Sequence, residues 1–272
     1  MNLSILSLLA ASSLGERLTE AWNGMQAWIA AEWQDFCQTF HVNFIASNRW
    51  LSLLKGLGIT LQITFFALLL GLAIGLVVAS IRSSYDKNQE AMAKRGDFGW
   101  GVMKLLNGLC KLYLTVFRGT PVVVQLMIFY FVIFASSRNG TLIAIIAFGV
   151  NSGAYVAEIF RSGIASVDAG QFEAGRSLGF SYLQTMLYII IPQAFKTILP
   201  TLCNEFIVLL KETSVAGYVG VMDLTKAGDL IRGRTFSAFM PLIAVAIIYF
   251  VIVMIFTKLV GKLERRLRKS DR

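Results

Sequence analysis

The sequence contains few of the residues from which proteins build metal centres, disulfide frameworks and catalytic dyads. Its 272 residues include one histidine and three cysteines. Cys37, Cys110 and Cys203 are too scattered for a disulfide framework or for the short spacings of metal ligands. His41 lies in a polar stretch outside any cluster of acids and cysteines, which favours a surface position. We therefore predict no metal site and no catalytic residue in this chain.

Charged residues are also scarce. They make up 15% of the chain, against roughly 25% in an average soluble domain, while 56% of the residues are hydrophobic and the mean hydropathy is +0.65. Several apolar stretches reach the ~20 residues that a helix needs to cross a membrane. Because these stretches are continuous rather than alternating, they exclude a β-barrel. The chain is predicted to be an all-α integral membrane protein.

A third absence is that of a nucleotide-binding loop. The pattern Gly-x4-Gly-Lys-Ser/Thr does not occur, since Gly261-Lys262 is followed by Leu263 and Gly56-x-Gly58 has no third glycine. The chain is therefore not expected to be an enzyme that hydrolyses ATP. The net charge of +9 does not indicate nucleic acid binding, because the basic residues lie beside the apolar stretches, as is usual in membrane proteins.

Five apolar stretches predict five transmembrane helices within a domain over 50–260. They cover about 51–81, 112–134, 142–164, 192–210 and 238–258. Gly71 and Gly75 in the first stretch allow a neighbouring helix to approach closely, and Pro121 is expected to kink the second. The segments between them are predicted as a polar loop over 82–104, a tight turn over 136–141 and a loop over 211–236.

Residues 1–49 form a separate N-terminal segment. Its first 14 residues are apolar but too short to span a membrane, and they lack the positive start of a signal peptide, so an interfacial segment is predicted. From Leu18 onward, large apolar residues recur every three or four positions, which predicts an amphipathic helix at the outer membrane surface. These residues are Leu18, Trp22, Met25, Ile29, Trp33, Phe36 and Phe40.

The distribution of lysine and arginine predicts the orientation. With the N-terminus outside, the cytoplasmic segments carry fourteen of these residues and the outer segments carry seven. The cytoplasmic total includes a basic tail over 261–272. The same orientation places the segment between the third and fourth spans, about 165–192, in the cytoplasm.

A polar turn in this cytoplasmic segment predicts a short helix that lies flat on the membrane face. It reads Glu173-Ala174-Gly175-Arg176-Ser177-Leu178-Gly179, then nine residues to Ile189, then Ile191-Pro192. A carboxylate ahead of small residues favours the start of a helix, and Gly179 is expected to end it.

The order of these residues resembles the EAA loop of ATP-binding-cassette importer permeases, with Gly175 for the second alanine and Ile191 for leucine. In that family the loop is the coupling helix that docks into a cleft of the ATPase subunit. The resemblance therefore implies a docking surface for an ATPase, and an ordinary amphipathic connector is the alternative. The implied docking residues are Glu173, Ala174, Gly175, Ser177, Leu178 and Gly179.

Further motifs resemble the polar amino acid branch of these permeases, the histidine, glutamine and glutamate type. They are Arg118-Gly119-Thr120-Pro121 followed by Gln125, the run from Ala154 to Arg161, Pro192-Gln193-Ala194, Asn204-Glu205 and Lys211-Glu212-Thr213-Ser214. The resemblance covers roughly 55–258 and implies a type I importer permease architecture. The first 49 residues lie outside it.

Charged and polar residues within the spans are expected to face a cavity or a partner, because each charge in lipid costs about 2.5 to 3.5 kcal/mol. Such residues share one face on the third span and another on the fourth. A solute passage is one hypothesis, with Tyr155, Glu158, Asn204, Gln125, Asn151 and Thr201 as its residues. In the alternative, Glu158 pairs with Arg118 or Arg161 and holds helices together. The predicted structural or gating residues are Arg118, Gly119, Thr120, Pro121 and Arg161.

The resemblance implies a permease subunit of an ATP-driven importer for polar amino acids in the bacterial cytoplasmic membrane. It also implies a second permease subunit, cytoplasmic ATPases that hold ATP and magnesium, and an extracytoplasmic solute-binding protein. No cofactor is expected on this chain, which is surrounded by membrane lipid. One alternative is the same architecture for another small solute, such as an opine or an amino acid derivative. The other is a proton-coupled carrier with Glu158 as its relay.

Overall fold

A computed structural model describes residues 3–95 and 98–269. Over these residues the protein consists of ten α-helices joined by short π and 3-10 segments, which confirms the predicted all-α class. The helices are α1 (Leu3–Phe40), α2 (Trp50–Arg95), α3 (Phe98–Gly119), α4 (Val122–Ile128), α5 (Gly140–Ala165), α6 (Gly170–Ser177), α7 (Tyr182–Thr185), α8 (Ile191–Glu212), α9 (Leu224–Thr235) and α10 (Phe239–Lys269).

Four helical stretches of the described chain are long and apolar enough to cross a membrane. They lie within 18–87, 140–165, 182–219 and 239–267. Helix α3 and the stretch from α4 to Ile133 are long and apolar enough only when taken together, and the chain bends by 111° between them. The architecture agrees with the predicted five spans when this bent pair counts as one.

Helices α2 and α5 form the centre of the bundle. They run parallel, since Leu70 lies against Gly149 and, further along both helices, Gly75 lies against Val156. A Cβ atom on Gly75 would lie 2.7 Å from the Cβ of Val156, so only glycine permits this spacing. The close approach predicted at Gly71 and Gly75 is confirmed. The main buried cluster includes Ile63, Ala67, Leu126, Ala144, Phe148 and Leu209.

The prediction of a polar loop over 82–104 is wrong. Helix α2 continues to Arg95 and α3 begins at Phe98, and Tyr85 stacks on Trp100 with ring centroids 5.4 Å apart. Lysine, arginine, glutamine and glutamate are good helix formers, so the sequence loses its hydrophobicity here without losing its helix. Residues 96 and 97 of that loop, and residues 270–272 of the predicted tail, lie outside the described residues.

The loop expected over 211–236 is also wrong. It contains a 3-10 segment, Thr213–Val219, and helix α9, whose Leu224 and Ala227 are fully buried. The Asp223 carboxylate begins α9 by accepting hydrogen bonds from the backbone N–H groups of Thr225 (3.0 Å) and Lys226 (3.1 Å). Burial raises the pKa of Asp223 above its ordinary value. Gly228 allows close packing against Val245, whereas Gly220 ends the 3-10 segment with a left-handed φ of 77°.

The kink expected at Pro121 is a full break. Helix α3 ends at Gly119, Pro121 is extended (φ −64°, ψ 134°), and α4 begins at Val122. Proline disfavours the helical conformation of the residue before it, which here is Thr120. Gln125 stabilises the break, because its Nε2 donates hydrogen bonds to the backbone oxygens of Phe117 (3.0 Å) and Thr120 (3.1 Å).

Helix α1 is one continuous helix rather than a short interfacial segment followed by a second element. The large apolar side chains predicted for its stripe, from Leu18 to Phe40, are all exposed. The helix joins the bundle near Asn43, whose Oδ1 accepts a hydrogen bond from Thr235 Oγ1 (2.7 Å). Its position at a membrane surface stays a prediction.

Candidate functional site

The predicted cytoplasmic segment folds into α6 and α7, two short helices joined by a tight turn. Phe180 N donates to Gly175 O (3.0 Å) and Gly179 N donates to Arg176 O (2.9 Å), which is the hydrogen-bond pattern of a Schellman motif. Gly179 has a φ of 80°, a left-handed conformation that glycine adopts without steric cost. The helix end predicted at Gly179 is confirmed.

Contacts of α6 with α7 make the two helices one unit. A Cβ atom on Gly175 would lie 2.6 Å from Cγ2 and 2.7 Å from Oγ1 of Thr185, so the helices touch at this glycine. Phe172 stacks on Tyr182, with ring centroids 5.9 Å apart and an interplanar angle of 9°. Thr185 was missed by sequence reasoning, because a threonine in an apolar stretch carries no signal that it contacts Gly175.

The other predicted docking residues lie on the outer surface of α6 and its turn. They are Glu173, Ala174, Ser177, Leu178 and Gly179, and all five are exposed. Leu178 leaves 73% of its surface accessible. An exposed leucine beside small residues and one carboxylate suits insertion into a shallow cleft of another protein. Gly175 is buried and supports this surface rather than belonging to it.

Three contacts connect this unit to the long helices. The Lys87 ammonium group of α2 lies over the ring of Tyr182 in α7. Gln193 in α8 donates from Nε2 to Gln171 Oε1 in α6 (3.2 Å). The chain itself joins α5 to α6 and α7 to α8 within a few residues. The α6–α7 unit is therefore connected to α2, α5 and α8.

A polar cleft opens between α5 and α8. It has a volume of about 380 Å³ and is lined by Tyr155, Glu158, Ile159, Ser162, Thr201, Asn204, Glu205 and Val208. The structure thus brings together four of the predicted passage residues: Tyr155, Glu158, Thr201 and Asn204. Deeper in, Ser152 Oγ donates to Glu205 Oε1 (2.8 Å). The cleft presents a phenol, hydroxyls, an amide and carboxylates, which together can donate and accept hydrogen bonds.

Gln125 and Asn151 lie away from this cleft. Both are buried, and Asn151 Nδ2 donates to Gln125 Oε1 (2.9 Å) and to Phe117 O (3.1 Å). Gln125 Nε2 also donates to Thr120 Oγ1 (2.8 Å). These bonds join α5 to the break between α3 and α4. The assignment of Gln125 and Asn151 to the solute passage stays a prediction, whereas their contacts in this structure are with the protein.

Glu158 is the centre of an ion cluster. Its Oε1 lies 3.8 Å from Arg118 Nη1 and 3.9 Å from Arg82 Nη1, and its Oε2 lies 3.3 Å from Arg161 Nη2. The two pairings that the sequence left open are therefore both present. Arg82 was missed because it was assigned to a loop. A signal was available, since Arg82 follows Gly75 by seven residues and so lies on the face of α2 that meets α5.

Most of this helical bundle matches a known protein family. Residues 99–269 match the family described as "Binding-protein-dependent transport system inner membrane component". The matched region includes α3 from its second residue and all of α4 to α10, and therefore the polar cleft, the α6–α7 unit and the ion cluster except for Arg82.

Two individual relatives are named as permease proteins of transport systems. The putative glutamine transport system permease protein GlnP of Rickettsia bellii is 35% identical over 81% of this chain and 95% of its own length. The arginine transport system permease protein ArtQ of Bacillus subtilis is 35% identical over 80% of this chain and 94% of its own length.

Solved structures show the same fold. A crystal structure of an amino acid ABC transporter with histidines matches with a TM-score of 0.71 and 39% identity, over 82% of this chain and 98% of the other. An inward-facing MetNI methionine ABC transporter matches with a TM-score of 0.65 at 21% identity, over 79% and 95%, which supports the fold alone. The family match covers more than half of the chain, and the chain belongs to the inner membrane components of binding-protein-dependent transport systems.

Proposed function

We propose that this chain is the permease subunit of an ATP-driven importer that carries polar amino acids across the bacterial cytoplasmic membrane. The observation that carries the proposal is that α6 lies between α5 and α8 in the chain, and these are the two helices that line the polar cleft. A force applied to the exposed surface of α6 acts directly on both walls of the cleft.

The side chains of the cleft and the named relatives both support a polar amino acid as the transported solute. A zwitterionic solute needs hydrogen-bond donors and acceptors once its water is removed, and Tyr155, Thr201 and Asn204 supply both. Relatives named for glutamine and arginine transport are 35% identical to this chain. An opine or another amino acid derivative presents similar groups, so it is the main alternative solute.

Two surfaces of the chain, the open side of the cleft and the exposed side of α6, support the proposed partners. The cleft is open on one side, so a second permease subunit is needed to close the passage. The exposed side of α6 suits a cytoplasmic ATPase, which would hold ATP and magnesium, and an extracytoplasmic binding protein would deliver solute. With the N-terminus outside and the C-terminus in the cytoplasm, α6 faces the compartment that contains ATP.

Transport then follows from two states of the permease pair. When ATP closes the ATPases, the two α6 surfaces are drawn together, and α5 and α8 turn the passage toward the outside. Solute enters from the binding protein, and hydrolysis returns the pair to its inward-facing state. The ATPase supplies the free energy, while this chain supplies a passage with two stable arrangements.

Capture of the ATPase tests the coupling surface. Tagged chain is purified from membranes that co-express its neighbouring ATPase, as wild type, Glu173→Arg, Gly179→Trp and a control charge reversal away from α6, Glu264→Arg. We expect the wild type and the control to retain the ATPase and the Glu173→Arg and Gly179→Trp variants to lose most of it, because these two change the exposed surface of α6 and its turn. Equal capture by all four proteins would place the docking surface elsewhere.

Uptake by the assembled complex tests the solute. In proteoliposomes, we expect ATP-dependent uptake of a polar amino acid that a proton uncoupler does not abolish. Asn204→Leu should raise KM roughly tenfold or more, since a hydrogen bond to a charged group contributes about 1.5 to 3 kcal/mol. Cys203→Ala, one residue away and outside the cleft, is the control. Uptake that survives ATP removal and stops with the uncoupler would favour the proton-coupled carrier.

A further inference from the structure

A second cavity adjoins Glu158 on the side of α2 and α3. It has a volume of about 470 Å³ and is lined by Arg82, Lys111, Leu114, Thr115, Arg118, Gly119 and Glu158. Its wall therefore carries three cationic side chains and one carboxylate. This excess of positive charge favours an anionic ligand.

The guanidinium group of Arg82 is only partly satisfied. Its Nε is buried and makes no hydrogen bond with any residue that the structure describes. Its nearest anionic partner is Glu158, at 3.9 Å, and that carboxylate is shared with Arg118 and Arg161. A buried donor without an acceptor is costly, and a charged one more so. A ligand with several acceptor oxygens would relieve this cost.

The surface of helix α3 indicates that membrane lipid lies beside the cavity. Lys104, Lys111 and Arg118 follow one another at intervals of seven residues, so they form a basic line along one side of the helix. Next to it runs an exposed apolar stripe, formed by Phe98, Val102, Leu105, Leu109, Leu112 and Val116. A helix with an apolar side and a line of lysine and arginine is typical of the membrane interface.

Helix α3 begins beside the predicted cytoplasmic end of the first span. Tyr85 of α2 stacks on Trp100 of α3, and Cys110 packs in one buried cluster with Val78 of α2, so α3 runs back along α2. Lys111 therefore lies toward the cytoplasmic side, where a lysine side chain extends to the lipid headgroups rather than into hydrocarbon, where charges are costly. The cavity then lies where a lipid phosphate meets the protein.

We propose that this cavity binds the phosphate group of an anionic phospholipid of the cytoplasmic leaflet, with the acyl chains along the apolar stripe of α3. Arg82 and Lys111 donate to the phosphate oxygens, and Thr115 Oγ1 adds a hydroxyl donor. The lipid joins α2 to α3 at the residues that hold Glu158. This inference does not depend on which solute is carried.

The test uses the purified full-length chain in a neutral detergent. Its thermal unfolding midpoint is measured against added phosphatidylglycerol, phosphatidylcholine, inorganic phosphate and glutamine. We expect phosphatidylglycerol to raise the midpoint to a saturating value, and phosphatidylcholine, phosphate and glutamine to raise it little. In Lys111→Gln the half-saturating concentration of phosphatidylglycerol should rise at least fivefold. Lys104→Gln removes an equal charge from the same basic line but outside the cavity, and it should behave as wild type.

Five results would overturn the proposal. Equal effects of the two phospholipids would show that headgroup charge is not recognised. Stabilisation by inorganic phosphate alone would indicate a site for a free anion, and competition by glutamine would assign the cavity to the solute. Equal losses in Lys111→Gln and Lys104→Gln would indicate general electrostatic attraction. If Lys111→Gln does not fold, Thr115→Val replaces it, and unchanged lipid affinity in that variant counts against the proposal.

Discussion

Replacing Gly175 by alanine is expected to lower transport at least tenfold, and replacing Thr185 by alanine in the same chain is expected to restore it. The added Cβ would lie 2.6 Å from Thr185 Cγ2 and 2.7 Å from Oγ1, distances at which one of the helices has to move. Overpacking of this kind costs about 1 to 3 kcal/mol. Because α7 continues through residues 186–190 into the long helix α8, we expect α6 to be the helix that is displaced.

The measurement is ATP-dependent uptake, together with ATPase activity, in proteoliposomes that contain the assembled complex. Gly175→Ala should lose at least tenfold in uptake while folding normally. In Gly175→Ala/Thr185→Ala both close atoms are absent and only the Cβ of residue 185 remains, 3.2 Å from the new methyl group, so uptake should recover. Thr185→Ala alone is the control. Full uptake by Gly175→Ala would show that the contact with Thr185 does not position α6.

The contact between Gly175 and Thr185 also explains a departure from the EAA pattern. That pattern has alanine at the position of Gly175, and the sequence alone makes the change look like a minor difference in shape. The structure relates it to Thr185, ten residues later, whose side chain fills the space of the missing methyl group. The glycine and the threonine are therefore understood as a pair, which a reading of consecutive residues does not show.

The sequence predicted the parts of the fold that depend on hydrophobicity and on glycine. The extent of α5 and the contacts of Gly71 and Gly75 follow from periodicity and residue size. The loops expected over 82–104 and 211–236 are wrong for one reason: polar residues and glycines do not by themselves end a helix. In this chain α2 continues into a polar helix, and Gly228 lies within α9 at its contact with Val245. Hydropathy marks where a span ends, not where its helix ends.

Helical spacing also predicts the candidate site only in part. The grouping of Tyr155 with Glu158 and of Thr201 with Asn204 follows from helical spacing, and the structure places both pairs in one cleft. Asn151 precedes Tyr155 by four residues and is expected on the same side, but it lies toward α4. A step of four residues turns a helix by 400°, so over several such steps the polar side drifts from one neighbour to the next. Spacing therefore predicted neighbours within a helix better than the partner helix that each residue meets.

Replacing Glu158 by glutamine is expected to destabilise the protein without changing its affinity for solute. Three arginines share this carboxylate within 3.9 Å, and its loss leaves them facing one another. Breaking a buried ion pair costs about 3 to 5 kcal/mol. The side chains of Arg118 and Arg161 are almost half exposed, at 45% and 46%, so solvent screening lowers the expected cost. We expect a loss of about 2 kcal/mol, and most of it should come from the less exposed Arg82.

The double variant Arg118→Gln/Glu158→Gln separates a structural function of Glu158 from a function in the passage. Removing one of the three unpaired cations should return part of the lost stability, measured as the thermal unfolding midpoint of the purified chain. KM for solute, determined on the folded fraction, should stay within twofold of wild type in both variants. Glu264→Gln is the control, because it removes a carboxylate that lies outside both the cleft and the ion cluster. A Glu158→Gln protein of normal stability with a raised KM would instead assign Glu158 to the solute, so that the three arginines hold it in position for transport rather than being held by it.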